Sequence, residues 1–147
     1  EGLLFKRGIY KAVYVGQDAP HDVAILRITS SKKGLLAEAK MSRTLPTWGD
    51  IIYCIGNPLM LPSVVSEGKV IQPRVKNPMG DGFMILFDAL IDRGSSGGGI
   101  YNDNGEMIGI TNLIGPNGEG LANPVEHVFA LLTKLKLGKP DKLASAQ

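Results

Sequence analysis

Short apolar runs recur along the chain between clusters of Gly, Pro, Asn and Asp, which is the pattern of many strands joined by tight turns. Strands are predicted over 3–6 and 9–15, the second with Tyr10, Ala12 and Tyr14 set against Ile9, Val13 and Val15, and Arg7-Gly8 suits a hairpin turn between them. Residues 22–28 are largely apolar and predict a buried strand. Periodicity then lapses over 29–50, where Ser30-Ser31-Lys32-Lys33, Pro46 and Gly49-Asp50 mark a long surface connection between two subdomains. A second block follows, with strands predicted at 51–55, 65–75, 83–88, 99–101, 106–114 and 119–123. Turn signals separate them, among them Gly56-Asn57-Pro58, Asn102-Asp103-Asn104-Gly105 and Gly115-Pro116-Asn117-Gly118. From Pro124 the period changes. Val125, Val128, Phe129, Leu132 and Leu135 recur at helical spacing and predict an amphipathic helix ending near Gly138-Lys139-Pro140.

These elements predict an all-β fold with a C-terminal helix. The expected division is 1–30 for the first β unit, 31–50 for the connection, 51–123 for a complete barrel, 124–137 for the helix and 138–147 for a tail. Six strands suffice to close a small barrel, whereas three leave an open sheet with two exposed edges. The first unit is therefore expected to be present only in part.

Composition narrows the partners. Of 147 residues, 44% are hydrophobic and 20% charged, with 19 glycines and 9 prolines. That is a globular balance and argues against disorder. The net charge is +2 and its densest basic stretch, 134–142, holds four lysines. This reads as a solvated helix end and not as a nucleic-acid surface. No apolar run approaches the roughly 18 residues of a membrane span, and no signal peptide is recognisable before the first strand. Cys54 is the single cysteine, so no internal disulfide can form. A fold without disulfides suits the bacterial periplasm, the cytoplasm or a phage-borne protein, and the compartment stays open among these.

The candidate chemistry lies in Asp88-Ala89-Leu90-Ile91-Asp92-Arg93-Gly94-Ser95-Ser96-Gly97-Gly98-Gly99. Adjacent serines in a glycine-dense loop allow backbone N–H groups to converge on one point. A nucleophilic serine needs that arrangement, because preorganised donors must meet the negative oxygen of a tetrahedral intermediate. The stretch resembles the nucleophile loop of trypsin-like serine proteases, most of all the bacterial HtrA (Deg) branch, whose pattern runs Asp-Ala-x-Ile-x-x-Gly-Asn-Ser-Gly-Gly. Ser95 stands where that pattern has Asn. Three further segments agree in order: 10–16 with 22–28; Gly49-Asp50 with 55–58 and 65–70; and 105–110 with Leu121-Ala122-Asn123-Pro124.

The resemblance implies a chymotrypsin-like double β-barrel with the first barrel incomplete, and a serine endopeptidase acting through an acyl-enzyme. It implies Ser96 as nucleophile and Asp22 as the acidic member of the triad. The oxyanion hole would come from the N–H groups of Gly94, Ser95 and Ser96. The substrate pocket would be walled by Leu90, Ile91, Thr111, Asn112, Leu113 and Leu121, and the lack of an acidic base there favours a small or medium aliphatic side chain. No cofactor and no metal are expected. The substrate would be a peptide or unfolded protein; a homo-oligomer is compatible, and neither nucleic acid nor membrane is implied. The family's histidine precedes the aspartate by a few tens of residues. Here only His21 and His127 occur. His21 adjoins Asp22 and, in an extended chain, would point to the opposite face; His127 falls on the predicted helix. The base, and the strands that complete the first barrel, are therefore expected from an N-terminal segment or another chain. A protease-fold module without activity, serving a larger assembly, is the competing expectation.

Overall fold

The computed structural model describes residues 10–29, 37–60 and 64–137. The strand predicted at 3–6, the turn at Arg7-Gly8 and the tail at 138–147 lie outside them. Two strands, β1 (Ala12–Asp18) and β2 (Val23–Ile28), pair antiparallel as a sheet of their own. Six more close a barrel in the order β3-β4-β5-β8-β7-β6. They are β3 (Ile51–Gly56), β4 (Val64–Lys76), β5 (Phe83–Phe87), β6 (Gly99–Asn102), β7 (Met107–Ile114) and β8 (Gly120–Pro124). The helix α1 (Val125–Lys134) follows without a linker. The molecule is all-β with one terminal helix, in the manner of a chymotrypsin-like double barrel.

The barrel forms because alternate residues of each strand are apolar and their inward faces converge. Ile52, Val70, Ile85, Phe87, Ala89, Ile100, Ile108 and Ala122 make one buried cluster with Cys54. Two glycines set how closely its walls approach. A Cβ on Gly120 would lie 2.1 Å from the Phe87 ring, and one on Gly68 would lie 2.3 Å from the backbone nitrogen of Ala89. Cys54 is core, and burial pushes its thiol pKa up, so the sulfur stays protonated at neutral pH.

A second cluster joins the two sheets. Val23 of β2 packs with Val128 and Leu131 of α1, and Ile25, Met41, Ile110, Leu132 and Leu135 surround them. The helix thus acts as a wedge between the small sheet and the barrel. Pro124 precedes its first turn in extended conformation, as the change of period predicts. Phe129 lies half-buried at the rim, under the guanidinium of Arg43 at 5.0 Å.

One expectation fails here. The apolar strand at 22–28 is not buried along its length: Val23 is, Ile25 is half-buried, and Leu26 and Ile28 are exposed. Tyr14 of β1 pairs with Leu26 and shares the face of Leu26 and Ile28, which no described residue covers, while Val13 is exposed on the opposite face. Apolar composition alone reports what a strand could bury, not what covers it.

Candidate active site

Asp22 sits at the junction of the small sheet and the barrel. Residues Ala19–His21 form a single tight 3-10 turn, and Asp22 ends it in the left-handed conformation, φ 50° and ψ 50°. A non-glycine residue there is uncommon and has to be held by its surroundings. Its N–H donates to Ala19 O at 3.1 Å, and its carbonyl accepts from Asn123 Nδ2 at 3.5 Å. The carboxylate is exposed and has no hydrogen-bond partner among the described residues. Sequence reasoning placed His21 and Asp22 on opposite faces of an extended strand; the turn replaces that geometry. The His21 ring leans back on Asp18, Nδ1 to Oδ2 at 2.9 Å. His127 Nε2 meets Phe83 O at 3.3 Å. Neither imidazole bonds to Asp22 or Ser96.

The loop at 92–98 is built around its glycines. Gly94 has φ +96°, and a Cβ there would lie 2.6 Å from the Asn57 carbonyl oxygen. Gly97 has φ +85° and donates to Thr111 O at 2.8 Å, while Thr111 N–H returns a bond of 2.8 Å to Gly98 O. This reciprocal pair fastens the loop to β7. Ser95 is buried: its N–H goes to Asp92 O at 2.9 Å, and its Oγ accepts from Asp92 N–H at 3.3 Å. Its N–H, one of the three expected oxyanion donors, is therefore engaged within the loop. The N–H groups of Gly94 and Ser96 have no acceptor among the described residues. Leu59, itself strained at φ 50°, donates to Arg93 O at 2.7 Å. That bond fixes the plane of the Arg93–Gly94 peptide and so the direction of the Gly94 N–H.

Ser96 is exposed and its hydroxyl donates to Asn112 O at 3.0 Å. Beside it is a pocket of about 200 Å³ lined by Ile91, Asp92, Arg93, Ser95, Ser96, Thr111, Asn112, Leu113 and Ile114. Four of the six predicted pocket residues meet there. Leu90 and Leu121 do not: Leu90 is 82% exposed, whereas Leu121 is buried in β8 opposite Leu113. Asp92 lies at the pocket's edge, with its carboxylate turned back onto the Arg93 N–H at 2.6 Å.

The trypsin-like peptidase domain profile matches residues 4–110. This chain belongs to the trypsin-like peptidase family. Serine endoprotease DegS of Escherichia coli (strain K12) is 32% identical over 137 residues, which cover 86% of this chain and 38% of DegS. Periplasmic serine endoprotease DegP of the same strain is 35% identical over 133 residues, 86% of this chain and 28% of DegP. The probable DegP-like periplasmic serine endoprotease of Buchnera aphidicola subsp. Baizongia pistaciae is 35% identical over 134 residues, again 86% of this chain and 28% of the relative. The chain thus spans less than two fifths of these relatives. Among the described residues no cluster of three His, Cys, Asp or Glu side chains could hold a metal ion. No helix there is long and apolar enough to cross a membrane.

Proposed function

We propose that this chain is the nucleophile-bearing part of a serine endopeptidase, with Ser96 attacking the scissile carbonyl and Asp22 orienting the base. The observation that carries this reading is Ser96 beside a pocket, with two N–H groups that have no acceptor among the described residues, those of Gly94 and Ser96 itself. In the reaction Ser96 Oγ gives up its proton and bonds to the carbonyl carbon. The carbonyl oxygen becomes negative and accepts from those two N–H groups; one such donor is worth about 100-fold or more in rate. The leaving amine then takes the proton, and water releases the acyl group by the same steps in reverse order.

The base in this reading is an imidazole from outside these 147 residues, on an N-terminal segment or another chain that also extends the small sheet. Supporting it are the other engagements of His21 and His127, and the apolar side chains of Val13, Tyr14, Leu26 and Ile28 facing solvent. When that imidazole approaches, the Ser96 hydroxyl turns from Asn112 O to donate to it. The peptide's side chain enters the pocket of Ile91, Thr111, Asn112 and Leu113. Its small volume and the apolar side chains of Ile91 and Leu113 favour a small or medium aliphatic residue, and peptide segments of unfolded proteins are the substrate class. The test is hydrolysis of an unfolded protein such as reduced casein by the full-length protein. Cleavage lost in Ser96→Ala supports the reading; cleavage that survives the substitution overturns it.

A further inference from the structure

Among the described residues, three contacts hold the turn that carries Asp22 to the barrel and α1. Two of them come from side chains to which the chemistry above assigns no role. His21 and His127 stack face to face, ring centroids 4.0 Å apart and planes 24° from parallel. Asn123, only 1% exposed, reaches Asp22 O through Nδ2, and its Oδ1 is buried without a partner. The third contact is backbone: Asp81 N–H donates to Pro20 O at 3.2 Å. Glycine makes this approach possible. A Cβ on Gly80 would lie 2.3 Å from Pro20 O, and one on Gly82, at φ +78°, would lie 3.0 Å from the His21 ring and 3.2 Å from the His127 ring. The β4–β5 turn is shaped as a seat for the two imidazoles.

We propose that the His21–His127 stack, with Asn123, is an acid-released latch that seats the Asp22 turn on the barrel. This rests on the reading of Asp22 as the triad acid. The charges around the stack support it. Asp18 of β1 is committed to His21. Glu126 of α1 is paired to Arg74 of β4 at 3.5 Å, and Arg74 also lies over the Phe83 ring at 3.7 Å. Asp81 of the β4–β5 turn contributes its backbone N–H, and Asp22 is directed to solvent. Asp18 is thus the one carboxylate bonded to the stack among the described residues, and Glu126, the other acid beside His127, is shared with Arg74. A single proton on the stack is neutralised by Asp18; a second sets two cations face to face in a half-buried site. Burial holds the His127 pKa below its ordinary value, and the His21 charge acts in the same direction, outweighing the Phe83 carbonyl, Glu126 and Asp18, which raise it. A histidine depressed in the folded state costs stability as pH falls below its unfolded value, so the latch is closed at neutral pH and opens on acidification. Opening frees the left-handed Asp22 from Asn123 and from its place beside the barrel. His21, His127 and Asn123 are accordingly positioning residues.

Amide hydrogen exchange on the full-length protein, in a Ser96→Ala background that prevents self-cleavage, tests this. After correction for intrinsic rates, the segment 17–24 should exchange about tenfold faster or more at pH 5 than at pH 7.5. His127→Phe and His21→Phe, which keep a stacked pair that cannot be doubly charged, should abolish the acid step. His127→Gln, which removes the stack, should leave the segment open at both pH values. Equal exchange at both pH values in the parent, the same acid step in both Phe variants, or a closed segment in His127→Gln would overturn the latch. Exchange needs no activity, so a failed latch gives flat exchange, whereas a failed nucleophile gives a Ser96 that takes no fluorophosphonate.

Discussion

The barrel and the small sheet solve the same problem with different means. All six barrel strands pair on both edges, and the inward side chains are buried to within a few per cent. Closure leaves no free hydrogen-bonding edge. The β1–β2 sheet has two strands among the described residues, with Leu26 63% and Tyr14 60% exposed, and its contacts there come from α1, Met41, Ile110 and the β4–β5 turn. Yet each region carries one half of the proposed chemistry. Ser96 and its donors stand on the self-sufficient half; Asp22 stands on the half that depends on its neighbours. The nucleophile loop is therefore held by the barrel's own core, while the acid is held by contacts made across a junction.

Breaking the comparison from its chemical side gives the largest effect. Asp22→Asn should lower kcat of the full-length protein about 10^4-fold, because the imidazole loses its tautomer and its counter-charge. The urea midpoint should not move, since the carboxylate is exposed and unbonded. A stability loss as large as the kinetic one would mean that Asp22 is structural. Next comes the barrel core. Phe87→Ala removes a fully buried ring and should cost about 3–5 kcal/mol by urea denaturation. A loss under about 1 kcal/mol would deny the barrel its closed core. Gly94→Ala forces an L-residue into φ +96° against the Asn57 carbonyl. It should cost about 100-fold in kcat through misdirected oxyanion donors, with KM little changed. The smallest effect belongs to the open sheet. Leu26→Ala in the 147-residue chain should change stability by no more than about 0.5 kcal/mol. A markedly larger loss in the full-length protein would show that another segment covers Leu26 there.

The barrel was legible because its signals are local. Each predicted strand from Ile51 onward matches an observed one to within one or two residues, since alternation names the strand and the glycine-rich turns end it. Helical spacing located α1 for the same reason. The small sheet was harder to read, because whether an apolar residue is buried depends on what lies opposite it. Among the site residues, Ile91, Thr111, Asn112 and Leu113 line a cavity beside Ser96, whereas Leu90 and Leu121 have their own surroundings. The occupied Ser95 N–H follows from a turn closed by Asp92, which no motif spells out. The stack was beyond reach: His21 and His127 lie at opposite ends of the described chain, and only the fold brings them together. Two features could have pointed to it, the Gly80-Asp81-Gly82 turn and the Pro20-His21 pair, both shaped for close approach.

The central claim is that Ser96 is a nucleophile awaiting its base. Incubation of the full-length protein with a fluorophosphonate probe, followed by peptide mapping, tests it most directly. The account predicts one adduct, on Ser96, that disappears in Ser96→Ala. An unmodified Ser96, or an adduct that persists on another residue after the substitution, would contradict it.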